Sequence, residues 1–318
     1  MGILITGGAG FLGSALANAL VDGGHEVLVL DDLSAGDPNR LDPGVLFHRG
    51  SITDRPKLWT LLQGVDTVYH LAARVLVAES ILYPREYNEA NVSGTVALLE
   101  AMRDAGIPRL IFASSGAVYG DQTDQPIHET ATPHPLSPYA VSKLSAEHYI
   151  HTIGALWGTT TVALRIFNAY GPGQPVLPSH SPVIPRFISQ ALGGGSLVIF
   201  GDGEQTRDFV YLTDVVHALI EARNIGKPEH CTVNVGTGIG VSINQIAQEI
   251  ITQTGSSSNI IYSPVSSGGV SRLQADLTRA RKLLGYRPKI TIEEGIRRML
   301  QARVQSASTG PQQSPEGE

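Results

Sequence analysis

The chain is short of several things that would each have marked a class of protein. It has one cysteine, Cys231, in 318 residues, so neither an intrachain disulfide nor a cysteine-based zinc site can form, and a reducing compartment suits it. No apolar run approaches the roughly 18 residues that a membrane-spanning helix needs. Basic residues are in deficit: 23 Lys and Arg stand against 29 Asp and Glu, a net charge of -6. That balance disfavours nonspecific nucleic-acid binding, so any phosphate ligand must be held by local arginines or helix ends. Charged residues are 16% of the chain and hydrophobic ones 42%, which is ordinary for a globular protein with a large core. Met1 runs directly into the apolar stretch Gly2-Ile3-Leu4-Ile5 with no signal sequence in front. The expectation is a cytoplasmic protein with no membrane and no nucleic acid as partner.

What is present is alternation. Apolar runs at 2–6, 26–30, 46–48, 67–71, 109–114 and 161–166 read as strands, and helical patterns lie between them at 11–21, 55–63, 84–104 and 138–157. Strand–helix repetition with continuously apolar strands predicts an α/β fold, a doubly wound parallel Rossmann sheet with helices on both faces. After Phe167 the texture changes: 168–185 is rich in Pro and Gly and reads as a long shaped loop. Shorter elements follow, predicting a smaller C-terminal α/β substrate domain. The expected division is 1–168 for the cofactor-binding domain, with some later segments returning to it, 169–304 for the second domain, and a disordered tail at 305–318.

Between the first strand and first helix lies Thr6-Gly7-Gly8-Ala9-Gly10-Phe11-Leu12-Gly13. Gly7 permits the tight turn, Gly10 lets backbone approach a pyrophosphate, and Gly13 lets helix pack closely on strand. The free amides and positive dipole end of the helix then face the phosphates. Asp31 ends the second strand about twenty residues on, where a carboxylate accepts bonds from ribose hydroxyls and repels a 2′-phosphate; NAD is favoured over NADP. Asp32 either shares that task or caps the following loop. Further along, Tyr139 and Lys143 stand four apart on a helix opened by Pro138 and so share a face. A nearby ammonium favours a phenolate, which predicts a lowered Tyr139 pKa and a proton acceptor.

With the glycines, Asp31 and Tyr139/Lys143 in this order, the sequence resembles the extended short-chain dehydrogenase/reductases. More narrowly it is similar to the NAD-dependent nucleotide-sugar epimerase/dehydratase family, with sugar 4-epimerases nearest. Further matches are His70-Leu71-Ala72-Ala73, Asn91, Ser114-Ser115-Gly116-Ala117-Val118-Tyr119-Gly120, Arg165-Ile166-Phe167-Asn168, Arg207-Asp208-Phe209-Val210, Asn234-Val235-Gly236 and Arg272 ahead of Ala275-Asp276. The resemblance implies that Ser115 is the hydroxyl partner of Tyr139 and that Lys143 also holds the nicotinamide ribose. It places Gly7, Gly10, Phe11, Leu12, Asp31, Asp32, Ser51, Ile52, Leu71, Ala72, Ala73, Asn91, Ser114 and Phe167 around NAD. It assigns Ser115, Gly116, Tyr139, Asn168, Arg207 and Arg272 to a nucleotide sugar, with a UDP-linked one as the expectation. For Arg207 an ion pair with Asp208 is the competing reading.

The activity implied is inversion of C4 through a transient 4-keto sugar. Relatives that eliminate water carry an Asp-Glu pair after the hydroxyl residue; here those positions are Gly116 and Ala117, neither able to move a proton. Epimerisation of a UDP-glucose/UDP-galactose type sugar comes first. UDP-glucuronic acid or a UDP-N-acetylhexosamine as substrate, a decarboxylase or reductase, and a non-catalytic NAD-binding sensor are the alternatives. The sequence departs from the family at Ser51, where an Asp commonly meets adenine, and at Val75, where many galactose-type epimerases have lysine. Leu273 falls where pocket size is tuned. His148 and His151 share a helix face but have no third ligand in sequence, so no metal is expected. A homodimer is expected from the family's four-helix seam, here Ala97, Leu98, Ala101, Met102, Ala146, Tyr149 and Ile150, with packing inside the chain as the competing reading of those residues.

Overall fold

The structure is a computed structural model that describes residues 2–176, 181–226, 230–264 and 270–308, with side chains to 305. Six strands carry the first half: β1 (Gly2–Thr6), β2 (Glu26–Asp31), β3 (Leu46–Arg49), β4 (Val65–His70), β5 (Arg109–Ser115) and β6 (Thr160–Ile166). A seventh, His230–Val235, returns from far along the chain to pair with β6. The sheet runs His230–Val235, β6, β5, β4, β1, β2, β3, every pair parallel. Strand order reverses at β1, and in such sheets the reversal opens a crevice beyond the carboxyl ends of the strands. The glycine loop, Asp31, Leu71, Ser115 and Phe167 all sit at that edge because each follows or closes a strand.

The helices of this half are α1 (Phe11–Asp22), α2 (Arg55–Leu61), α3 (Val77–Leu82), α4 (Pro84–Asn88), α5 (Gly94–Ala105) and α6 (Pro138–Trp157). Strand residues alternate between two cores, as a period of two demands. Ile3 and Ile5 join Leu16 and Leu20 of α1 and Val215 and Leu219 of the later helix Leu212–Ala222 on one face. Leu4, Val68 and Leu110 join Leu58 of α2, Leu98 and Met102 of α5, and Ala146 and Ile150 of α6 on the other. A third apolar cluster, with Phe187, Leu197, Ile246, Ile250 and Ile296, holds the elements after residue 168 together.

Four expectations need correction. The helix over 84–104 is interrupted: α4 passes through a wider π turn at Glu89–Ser93 before α5. The stretch 168–185 is more than loop, since Asn168–Tyr170 pairs with Phe209–Tyr211 and a helix begins at Val183. Pro185 is tolerated there because a first-turn residue needs no amide hydrogen; residues 177–180 of the stretch lie outside the described residues. The last helix, Ile292–Ser308, runs four residues into the segment expected to be disordered, and 309–318 lie outside the described residues. Most of the anticipated seam is internal: Leu98, Ala101, Met102, Ala146 and Ile150 are at most 2% exposed. Their small and apolar character serves the α5–α6 contact inside the chain.

Candidate active site

The glycine loop is shaped for close approach. Gly7 has φ +71°, and a Cβ there would lie 2.5 Å from the Ala72 amide nitrogen. A Cβ on Gly13 would strike the Gly7 carbonyl oxygen, whereas one on Gly10 would meet only that oxygen, at 3.3 Å. Gly10 opens α1 with no side-chain cap, so the first amides of the helix, from Phe11 and Leu12, keep their hydrogens for an anion. Asp31 is buried. Its Oδ2 accepts from the Ala9 amide and its Oδ1 from the Leu33 amide, each at 2.9 Å. Burial pushes its carboxyl up while those two bonds pull it down. Asp31 thus ties the glycine loop to the turn after β2 and leaves its remaining lone pairs at the crevice. Asp32 is exposed and accepts from the Ser34 amide at 2.9 Å, which is the capping alternative. Ser51 is engaged with Thr53, hydroxyl to hydroxyl at 2.8 Å, beside buried Ile52.

His70 is fully buried. Its Nδ1 pairs with Thr6 Oγ1 at 2.7 Å, its Nε2 with Thr95 Oγ1 at 2.8 Å, and its ring stacks on Phe112. Burial, then the nearby Lys143 ammonium, depress it to about 3. It is a neutral pin between β1, β4 and α5. Leu71, Ala72 and Ala73 continue from it, half-buried beside the glycine loop. Asn91, inside the π turn, spends its whole carboxamide on protein: Oδ1 accepts from the Arg74 amide at 2.8 Å, and Nδ2 donates to the Arg74 carbonyl and Ser142 Oγ, both at 2.9 Å. Its share in a cofactor site is to hold 71–74 in place.

Ser137 caps α6, its Oγ accepting from the Ala140 amide at 3.1 Å, with Pro138 in the first turn. From that helix Tyr139 shares a side-chain hydrogen bond with Ser115, the last residue of β5. Burial pushes the phenol up and the Ser115 bond pulls it down, with a net rise. The expected lowering by Lys143 is therefore not what dominates. Lys143 Nζ rests over the Phe112 ring, 4.5 Å from its centroid, and burial lowers it to about 7 against the opposing pull of Glu147. Ser115 also accepts from the Ala117 amide at 3.2 Å, which shapes the turn Gly116–Tyr119. A Cβ on Gly116 would stand 3.2 Å from the Phe167 ring, so that glycine lets Phe167 close the floor of the site.

Ser114 turns to another partner: its Oγ donates to Glu147 Oε2 at 2.8 Å. A buried carboxylate demands donors, and Arg165 supplies two more, Nε to Oε2 at 3.2 Å and Nη2 to Oε1 at 2.5 Å. Sequence reasoning missed Glu147; a charged residue on the Tyr139/Lys143 face of α6 was the available signal.

The proposed nucleotide residues come from short strands. Thr206–Arg207 lies between Val241–Ser242 and Arg272–Leu273, with Arg272 opposite Thr206 and Leu273 opposite Arg207. The two arginines therefore occupy neighbouring strands at adjacent positions. Arg207 is half-buried, donates to the Thr206 carbonyl at 2.8 Å, and is lowered by burial. It makes no ion pair with Asp208, which is fully buried and accepts from Thr237, Gly238 and Ala275 instead. Arg272 is exposed, and among the described residues its guanidinium has no carboxylate partner. Asn168 donates its backbone amide to the Asp208 carbonyl at 2.9 Å. Segment 271–276 is sewn to the loop leaving Ser115: the Ile127 amide donates to the Gln274 carbonyl at 2.8 Å, and the Gln274 amide donates to Gln125 Oε1 at 3.0 Å.

Residues 3–236 match the NAD dependent epimerase/dehydratase family. The chain belongs to that family. This family member is 39% identical over 300 residues to a putative UDP-glucose 4-epimerase of Methanocaldococcus jannaschii, covering 94% of this chain and 97% of that one. A UDP-glucuronate 4-epimerase of Thermodesulfobacterium geofontis is 34% identical, over 93% of this chain and 94% of its own. Among solved structures, the UDP-glucose 4-epimerase of Thermotoga maritima with UDP-glucose superposes with a TM-score of 0.92 at 36% identity, covering 96% of this chain and all 100% of that one.

Two histidine groups stand apart from the site. His151 bonds Thr161 and Thr232 while His148 is exposed, so they do not converge. His128, Glu129 and Asp276 bring ligand atoms within 4.8 Å of one another. Arg279 Nε already stands 3.8 Å from Glu129 Oε2 and balances that carboxylate.

Proposed function

We propose that the chain is an NAD-dependent nucleotide-sugar 4-epimerase that inverts C4 of a UDP-hexose of the UDP-glucose/UDP-galactose type through a transient 4-keto sugar. The observation that carries this is the Ser115–Tyr139 hydrogen bond with Lys143 one turn away, at a site whose next residues, Gly116 and Ala117, hold no proton carrier. Cradle and donor set fit NAD: glycines where a Cβ would collide, free helix amides, and Asp31 at the crevice. When bound, NAD supplies the acceptor and donor of the C4 hydride. Tyr139 then takes the 4-hydroxyl proton, directly or through Ser115, and returns it once the sugar presents its other face. Lys143 supplies positive charge that opposes the cost of ionising a buried phenol. Arg207 and Arg272 suit a diphosphate, because guanidinium matches phosphate geometry and stays charged.

In this reading residues 1–168, completed by 230–235, form the NAD layer, and most of 169–304 form the sugar-nucleotide layer. A second copy of the chain is the partner that fits the apolar surface of Ile81, Leu82, Tyr83, Val141 and Tyr149, each at least 47% exposed. The deciding experiment offers UDP-glucose, UDP-glucuronic acid, UDP-N-acetylglucosamine and dTDP-glucose and resolves products by C4 configuration. UDP-glucose is expected to give the C4 epimer without added NADH. Tyr139→Phe is expected to lower kcat by about 10² to 10⁴ with NAD retained. Turnover unchanged in that variant would overturn the reading.

A further inference from the structure

Glu147 lies one turn beyond Lys143 on α6, so Tyr139, Lys143 and Glu147 follow one another along a single helix face. It is 3% exposed, so its charge must be met by donors of the protein. Its two oxygens collect four donors from three strands: Ser114 of β5, Arg165 twice from β6, and Thr232 Oγ1 of His230–Val235 at 3.3 Å. Ser114 and Ser115 are consecutive, and both reach α6, one at Glu147 and the other at Tyr139. Arg165 lies two residues before Phe167, and its guanidinium covers the Tyr119 ring at 4.6 Å.

From this placement we propose that Glu147 is a positioning residue of the reaction: it fixes α6 against the strand ends carrying Ser115 and Phe167, and it keeps Lys143 an ammonium. The proposal rests on the epimerase reading for what the ammonium is used for. The site itself is charge chemistry. A buried lysine loses its proton easily because its charged form is desolvated. Glu147 is the carboxylate that opposes this loss. The groups acting on the pair are few. Lys143 faces Glu147 on its own helix and His70 from β4, with Tyr139 one turn before it on α6. Glu147 faces Arg165 from β6, Tyr119 from the turn after β5, and His151 on α6. Removing the negative charge at residue 147 takes away the carboxylate that opposes the desolvation of Lys143, so the lysine must deprotonate at lower pH.

The test follows Lys143 directly. The chain has five lysines, so protein labelled with ¹³C at lysine Cε gives few resonances, and Lys143→Met identifies the one of interest. In NAD-loaded Glu147→Gln, the Lys143 titration midpoint is expected to fall by about one pH unit or more. The pH profile of kcat/KM should move the same way. Glu147→Asp, which keeps the charge and retracts it by one methylene, is expected to leave the midpoint near wild type while kcat falls. An unmoved midpoint in Glu147→Gln overturns the proposal. So does a midpoint in Glu147→Asp displaced below wild type in a folded protein, which also decides the matter if Glu147→Gln does not fold. Because the titration needs no turnover, a wild-type protein that epimerises nothing would sink the functional reading while leaving this one measurable.

Discussion

At the scale of single residues, burial decides what each titratable group can do. His70 belongs to a motif that looks chemical, yet both ring nitrogens are occupied by threonine hydroxyls. Its depression to about 3, against an ordinary value of 6.5, has a definite sign. The unfolded chain binds a proton at His70 as pH falls through 6.5, and the folded chain does not until near 3. Folding therefore loses stability progressively across that window on acidification. His70→Gln is expected to flatten the dependence of the denaturation midpoint on pH between about 6.5 and 3; a slope equal to wild type would show that His70 does not carry it. Lys143 is the same charge type in the same predicament, held over Phe112 and lowered by burial, but with the Glu147 carboxylate opposing the loss of its proton.

At the scale of elements, α6 is the part on which the site depends. Ser137 and Pro138 start it and Gly158, with φ +72°, stops it, so its phase, and the face shared by residues 139, 143 and 147, is fixed from both ends. Replacing an N-cap serine by alanine costs about 1 kcal/mol. Ser137→Ala is accordingly expected to lower the urea midpoint by that equivalent, and to reduce kcat more than it raises KM, because Tyr139 follows the cap by two residues. The helix itself was legible in sequence, as were the glycine turn and the first six strands, because local runs of apolar residues and punctuating Pro and Gly suffice for them. What escaped was non-local. The short strand Asn168–Tyr170 exists only because Phe209–Tyr211 lies beside it. Asp208 reads as a partner for its neighbour Arg207, yet its donors come from residues 237, 238 and 275, which no local pattern announces. Glu147 was hidden likewise, since its donors lie on three different strands. The Tyr139/Lys143 spacing was readable, but not the burial that reverses its expected effect on the phenol.

At the scale of the whole molecule, the outer surface of α3 and α6 is unusual for its exposed apolar side chains. Leu82 is 67% and Ile81 64% exposed, and contiguous apolar area of this kind marks an interaction site more often than a bare surface. Sedimentation at micromolar concentration is expected to give a dimer, and Leu82→Glu to shift it toward monomer without changing NAD retention. A monomeric wild type would remove the second copy from the proposal. The interior seam expected from α5 and the middle of α6 is already filled within one chain, so the pairing proposed above uses α3 and the outer face of α6 instead.

The late return of His230–Val235 to the sheet has a consequence for the chain as it is made. Strand β6 ends at Ile166 and its outer neighbour begins at His230, a gap of 230 − 166 = 64 positions. At a synthesis rate of about 5–20 residues per second, the gap takes roughly 3–13 s. Through that interval the nascent sheet presents β6 as an open edge, which is the surface most prone to pair with a neighbouring chain. The ribosome, rather than the finished protein, is where this fold is most exposed to misassembly.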